Sequence, residues 1–392
     1  MHFSPLGVAV VFGTFPPHRD GGAEFVARFA PAVAANGARV HVITSTGGGP
    51  ERESFSENVT VHRVVGDWTM SDRGRDALRD VNELLRSEEV EVVHVLFPHS
   101  DLHGSYQLPA AIGLRRTPLV TTFWNLGLGR RSPLPLRLEA LSLLARSAVL
   151  TSHDPGYLSA LRRIAAGTKP VHWLPVGSNI AEETRRAPGA VRREHDLRDV
   201  PLLAYFGHLD FTRGVEDLFG ALATLRRGGR DARLVMVGGA DSVRSDDYRR
   251  LTERLGIGDA VVWTRYLGAQ QAAELLAAAD LCVLPYRRNS LGRSAVAAAL
   301  RLGVPTVLAG TADGISPLIP GRHVELVRAS APMELGASIA RLLDDPDRRE
   351  SLAAGAREAA KLFAWPRVAE AALGIYRKAI SRRDGTRGPA AA

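Results

Sequence analysis

Short, apolar, β-rich runs alternate with amphipathic helical stretches along the whole chain, and this alternation excludes most folds. It predicts βαβ units and parallel sheets, an α/β protein. In the first half the runs are GVAVVFG (7–13), RVHVITS (39–45), VEVVHVLF (90–97), PLVTTFW (118–124), AVLTSH (148–153) and VHWLPVG (171–177). They are nearly continuously apolar, as strands are when helices cover both faces of a sheet. The polar, charged segment 179–200 breaks the rhythm and reads as a linker. The rhythm restarts with PLLAYFG (201–207), ARLVMVGG (232–239), AVVWTRY (260–266), LCVLPY (281–286), PTVLAG (305–310) and VELV (324–327). A length of 392 residues is too great for one ordinary core. The expectation is two Rossmann-like, doubly wound domains, 1–185 and 186–364, facing each other across a cleft. A long amphipathic helix over 365–381 follows, and 382–392 reads as a disordered tail. Open α/β sheets bind ligands beyond the carboxyl ends of their strands.

Composition narrows the partners. The net charge is +8, but lysine occurs only at 169, 361 and 378 and the arginines are scattered. No basic–aromatic stripe or nucleic-acid module is present, so nucleic acid is not an expected partner; anionic small molecules stay open. No run approaches the roughly 18 apolar residues of a membrane span. The first residues lack a basic n-region and read as a strand rather than a signal peptide. The single cysteine, Cys282, lies in an apolar run, which excludes an intramolecular disulfide and fits a reducing cytoplasm. No paired His/Cys motif has metal-ligand spacing, and DDPD (344–347) reads as a helix end followed by a cap.

Four stretches can bear chemistry. In GTFPPHRDGGAEF, Asp20 is placed to cap a helix, and Gly21 and Gly22 let backbone amides approach a phosphate or sugar oxygen. In YFGHLDFTRGVEDL, His208 follows a strand and Arg213-Gly214 precede a helix. Arg213 suits bidentate contact with a phosphate, unless Asp210 takes it as a structural partner. In RRNSLGRSAVAAALRLGVP, arginines occupy the positive end of a helix, where acids are preferred. Arg293 and the amides around Gly292 and Ser294 would make an anion site. The fourth set is polar and lies in the first half: His94, His99, His103, Trp124, Asn125, His153 and Asp154. His94 sits inside an apolar run and reads as a core histidine; His99, past a strand end, is the better functional candidate. His153 and Asp154 can also serve simply to cap a helix.

These segments, in this order, resemble the large retaining family four of GT-B glycosyltransferases over nearly the whole chain. The marks are FPPHRDGGAEFVARFAPAVAANGARVHVIT, VVHVLFP, PVGSN, YFGHLDFTRGVEDL, LVMVGG, VVWTRYL, AADLCVLPY, GVPTVLAG and FAWPRVAEAALGIYR. The resemblance implies metal-independent transfer of a sugar from a nucleotide-diphosphate donor, GDP- or UDP-linked, with no cofactor. It implies an acceptor-binding first domain, a nucleotide-sugar-binding second domain, and a last helix that crosses back to the first domain. It assigns Gly21, Gly22, His208, Arg213, Gly214, Arg265, Tyr266, Leu267, Ser290, Leu291, Gly292, Arg293 and Ser294 to the donor. His99, Trp124, Asn125 and His153 fall to the acceptor, and Arg213, Arg293 and His99 to catalysis.

The departures from the family pattern are also informative. Two glutamates common in the family would fall at Ser290 and Ala298, and a histidine common after TF is here Trp124. The SLGRS loop (290–294) is similar to a Ser-Leu-Arg-Arg-Gly-Ser-like variant found in a subset of the family. These differences imply a modified donor sugar and an aromatic or soft acceptor, such as a sulfur acceptor in lincosamide-type antibiotic biosynthesis. The alternatives are a degenerate homologue that only binds, or a pseudo-glycosyltransferase or epimerase on the same fold. The oligomeric state is open, a homodimer being compatible.

Overall fold

The computed structural model describes residues 5–18, 20–98, 108–114, 116–129, 132–197, 199–238, 245–288 and 291–386. The chain forms two compact units: Met1–Pro175 with Trp365–Ala392, and Val176–Ala364. The first unit therefore ends ten residues before the expected position. The charged segment that read as a linker belongs to the second unit, where it forms the helix Pro188–Glu194. Its arginines have fixed partners: Arg186 meets the buried Glu274 at 2.6 Å and Arg192 meets Asp280 at 2.9 Å.

The first unit holds β1 (Leu6–Val11), β2 (Ala38–Ser45), β3 (Arg52–Ser56), β4 (Val59–Val65), β5 (Val92–Phe97), β6 (Leu119–Phe123), β7 (Val149–Ser152) and β8 (Val171–Trp173). They form one sheet in the order β3-β4-β2-β1-β5-β6-β7-β8. All pairings are parallel except β3 against β4. The β3–β4 hairpin was not expected from the sequence. β3 is polar, and His62 and Arg63 interrupt the apolar run of β4; both are buried by partners elsewhere in the chain. His62 Nε2 meets His41 Nδ1 at 3.1 Å; Arg63 meets Glu53 at 2.7 Å and donates to the Pro16 carbonyl at 2.9 Å.

The helices Asp72–Ser87, Leu134–Arg146 and Pro155–Ala165 cover one face of this sheet, through Val81, Leu85, Leu143 and Leu161. Helix Gly21–Ala35 packs with the last helix, Trp365–Thr386. Phe25 and Trp365 lie 5.7 Å apart, and the Tyr376 hydroxyl meets His94 Nδ1 at 2.7 Å. His94 Nε2 contacts Thr122, so this ring is a satisfied core histidine. The last helix runs through Thr386, into the segment expected to be a tail; 387–392 lie outside the described residues.

Buried neutral histidines give this unit a pH dependence. Burial pushes His62 and His153 down to about 4 and His94 to about 3, the first assisted by His41 and the last by His153. An unfolded chain protonates its histidines near 6.5. Between about 6.5 and 4 the unfolded chain therefore binds more protons, and stability falls as pH drops, by up to ~1.4 kcal/mol per pH unit for each ring. The melting temperature should decrease steadily from pH 7 to pH 5. A flat profile would mean that these rings already carry protons in the fold.

The second unit holds β9 (Leu202–Phe206), β10 (Arg233–Val237), β11 (Val261–Trp263), β12 (Leu281–Leu284), β13 (Thr306–Ala309) and β14 (Glu325–Val327). The sheet is fully parallel, in the order β11-β10-β9-β12-β13-β14. These six strands are the ones the sequence predicts. Strand order reverses between β9 and β12 here, and between β1 and β5 in the first unit. Crossovers on opposite sides leave a crevice at such a point, beyond the strand ends.

Candidate functional site

In the second unit the loops after β9 and β12 meet at that crevice. Asp210 is extended and caps the short 3-10 turn Phe211–Arg213. Its Oδ1 accepts from the Thr212 amide at 2.7 Å and its Oδ2 from Arg213 Nε at 2.8 Å. Burial works against charge on Asp210, but the Thr212 hydrogen bonds and the Arg213 charge hold its carboxyl below the usual range. Gly214 follows in the left-handed conformation (φ +66°), and a Cβ there would lie 2.0 Å from the Pro285 carbonyl oxygen. Only glycine fits both demands. The Arg287 amide donates to Thr212 O at 2.9 Å, which ties the two loops together.

This stitching places two guanidinium groups around one buried ring. Arg213 Cζ lies 5.8 Å and Arg293 Cζ 4.7 Å from the centroid of Tyr286, which is fully buried. Arg293 Nη2 donates to Arg288 O at 3.2 Å and lies 3.4 Å from Thr212 Oγ1. Burial, then the charge of Arg213, lowers the Arg293 pKa from its usual value. Like charges held this close in partly dry surroundings are unfavourable unless an anion joins them. Asp210 answers Arg213.

The two helix N-termini here differ. Helix Val215–Arg227 has Glu216 and Asp217 in its first turn, and both face Arg287, at 3.2 and 3.9 Å. Helix Ser294–Arg301 has Arg293 at its cap, no side-chain cap hydrogen bond and no acid in its first turn. Its positive end and Arg293 together fit an external phosphate.

The remaining donor candidates surround this pair. Leu291 is buried, and Gly292 and Ser294 are half-buried; Ser290 lies outside the described residues. His208 is exposed, and its carbonyl accepts from the Tyr205 hydroxyl at 2.8 Å. Arg265 and Tyr266 are exposed and Leu267 half-buried, on the loop after β11. That loop is two strands away from β9, at the sheet edge. Ala298 is fully buried in its helix. Sequence reasoning missed Tyr286, although an aromatic at the end of LCVLPY, directly before an arginine-rich loop, was the available signal.

In the first unit the amides of Gly22 and Ala23 are already used. Both donate to Asp20 Oδ1, at 2.8 and 2.9 Å. A Cβ on Gly22 would lie 2.3 Å from the Phe12 ring and 2.7 Å from Trp124, so this glycine serves packing. Gly21 has open space around it. The Trp124 amide donates to Phe97 O at 2.8 Å. Its indole stands 5.2 Å from Phe12 and 5.8 Å from His153, so two of the acceptor candidates come together in an aromatic cluster. His153 donates through Nδ1 to Leu174 O at 2.7 Å, which leaves Nε2 as a buried acceptor with no partner. Asn125 instead closes its own turn, its Oδ1 accepting from the Gly127 amide at 2.9 Å. Asp154 caps helix Pro155–Ala165 through Gly156. His99 and His103 lie outside the described residues.

Among the described residues no group of three or more His, Cys, Asp or Glu could hold a metal ion. Asp344 pairs with Arg230, and Asp345 caps helix Pro346–Ala360.

Two family models match the chain: Glycosyltransferase Family 4 over residues 19–177 and Glycosyl transferases group 1 over residues 200–345. A D-inositol 3-phosphate glycosyltransferase of Xylanimonas cellulosilytica is 29% identical over 62% of this chain and 60% of its own length. An alpha-D-kanosaminyltransferase of Streptomyces kanamyceticus is 31% identical over half of each chain. The chain thus spans 50 to 60% of these curated relatives. Among solved structures, a sucrose-phosphate synthase from Thermosynechococcus elongatus superimposes with a TM-score of 0.80 at 19% identity, over 96% of this chain and 100% of that one. HepE from Anabaena, in complex with UDP-glucose, gives 0.72 at 15% identity, over 97% and 100%. The neighbours share the GT-B fold, which in this chain comprises two Rossmann-like units and a C-terminal helix. The chain belongs to the group 1 glycosyltransferases of family 4.

Proposed function

We propose that this protein is a cytoplasmic, metal-independent, retaining glycosyltransferase that moves a modified sugar from a nucleoside-diphosphate donor to a small-molecule acceptor. The observation that bears the most weight is the Arg213–Tyr286–Arg293 arrangement at the switch point of the second sheet. Two guanidinium groups, one carboxylate and an uncapped helix start suit a diphosphate. UDP-glucose in the complex of a structural neighbour supports a nucleotide-sugar donor. A relative named for kanosaminyl transfer supports a modified sugar.

In this reading Arg213 and Arg293 bind the diphosphate and take up the charge that develops as the sugar–oxygen bond breaks. The leaving phosphate oxygen receives the acceptor proton on the same face, so no protein base is required. Trp124 offers no proton acceptor. That favours an acceptor which is nucleophilic without help, such as a sulfur group in an antibiotic pathway. Incubation with α-linked UDP- and GDP-sugars should give an α-linked product by NMR coupling constants, or slow donor hydrolysis when the acceptor is withheld. An inverted product contradicts retention. Tight nucleotide binding without either reaction favours a degenerate homologue.

A further inference from the structure

A cavity of about 450 Å³ opens in the first unit at the amino ends of its strands. The segments that lead into β5 and β6 line it, through Leu85, Arg86 and Val90 on one side and Leu114, Arg116 and Thr117 on the other. Trp124 and His153 follow their strands and so stand at the opposite edge of the sheet. The volume is that of a small-molecule site, roughly 300–1,000 Å³.

The walls are fixed by the fold. Asn82, on helix Asp72–Ser87, accepts from the Gly113 amide at 2.8 Å and donates to Leu78 O at 2.8 Å. Gly113 is left-handed (φ +64°), and the Thr117 amide returns to its carbonyl at 2.9 Å. A Cβ on Gly113 would lie 3.0 Å from Thr117 Cβ, so glycine keeps this turn closed.

The charges around the cavity are unbalanced. Arg146, at the end of helix Leu134–Arg146, lies directly behind the turn and donates to the carbonyls of Gly113 and Thr117, both at 2.9 Å. Its Nε is buried with no partner, and burial lowers its pKa from the usual value. Arg86 and Arg116 are exposed at the cavity. Among the described residues no carboxylate pairs with any of these three arginines. Glu89 also lines the cavity, but its carboxylate is 84% exposed and meets Arg39 at 3.6 Å. A partly buried cation without a counter-charge is unfavourable unless an anion joins it.

We propose that this cavity binds a small phosphate monoester with an apolar body, at a site separate from the one described above. Arg86 and Arg116 meet the phosphate, whose oxygens match their planar forks. The phosphate also offsets the charge of Arg146. A monoester carries close to two negative charges at neutral pH, so it balances these cations better than a single carboxylate does. The body of the ligand packs on Leu85, Val90 and Leu114, and the Thr117 hydroxyl adds a polar contact. The proposal does not depend on the donor or acceptor proposed above.

Isothermal titration of phenyl phosphate into the full chain carrying Arg293→Ala tests it, because phosphate binding in the second unit is weakened there. The expected result is one site, at least about tenfold tighter for phenyl phosphate than for inorganic phosphate or phenol, and weakened by salt. Adding Arg86→Glu/Arg116→Glu should cost about tenfold or more in affinity, with unchanged circular dichroism. Adding Leu114→Ser instead should bring phenyl phosphate down to the affinity of inorganic phosphate. Absence of binding overturns the proposal, as does an affinity that the charge reversal leaves intact. Equal affinity for phenyl phosphate and inorganic phosphate also overturns it, since that marks non-specific ion binding.

Discussion

Arg293→Ala should lower kcat by about 10²–10³ while leaving the fold intact. The magnitude is that of removing one preorganised donor from a charge that develops in the transition state. The position explains why the loss is large. Arg293 stands at the cap of a helix with no acid in its first turn, against the Tyr286 ring, and Arg213 already shares its charge with Asp210. Arg287, a neighbouring cation, is engaged by Glu216 and Asp217. Nucleoside-diphosphate affinity should fall by about 10–100-fold, the loss of a charge-assisted hydrogen bond or two. Arg293→Lys should recover part of the affinity but less of the rate, since a point charge lacks the planar fork. Removing one of two crowded cations also relieves repulsion, so the melting temperature of Arg293→Ala should be unchanged or higher.

Gly214→Ala should be the most damaging single-methyl change near the site. The left-handed conformation alone costs a non-glycine residue about 1–2 kcal/mol. The added Cβ would also lie 2.0 Å from the Pro285 carbonyl oxygen, which is backbone and must shift. That shift separates the loops that hold Arg213 and Arg293, and a displacement of about 1 Å at such a site can cost 10²-fold in rate. The expected result is a lower melting temperature together with a loss of kcat. Gly21→Ala is the control: a Cβ there meets nothing within 4 Å, so neither stability nor folding should change. Equal melting temperatures for Gly214→Ala and wild type would show that the two loops are not packed as described.

The alternation of apolar runs and helices made the parallel sheets legible, because a strand buried on both faces must be apolar nearly throughout. The hairpin of β3 and β4 was not legible for the same reason. His62 and Arg63 break the apolar pattern, and their burial depends on His41, Glu53 and the Pro16 carbonyl, which only the folded sheet brings near. The segment 179–200 read as a linker because its charges are conspicuous in sequence, while their partners Glu274 and Asp280 lie more than 80 positions away. In the candidate site, arginines at helix starts pointed to the two loops that the structure brings together after β9 and β12. What the sequence did not distinguish is which helix start is already satisfied. Glu216 and Asp217 answer one; the other has no acid. Nor did the sequence show which amides near the paired glycines are engaged: Asp20 takes those of Gly22 and Ala23, Gly22 is small because Phe12 and Trp124 pack against it, and Gly21 stands in open space.

The central claim is that Arg213 and Arg293 hold a nucleoside diphosphate. Isothermal titration of UDP and GDP into wild type and Arg293→Ala tests it most directly. The prediction is binding of at least one nucleotide to wild type, enthalpy-driven and weakened by salt, and at least tenfold weaker binding to the variant. Failure of both nucleotides to bind wild type, or equal affinity in the variant, would contradict the claim.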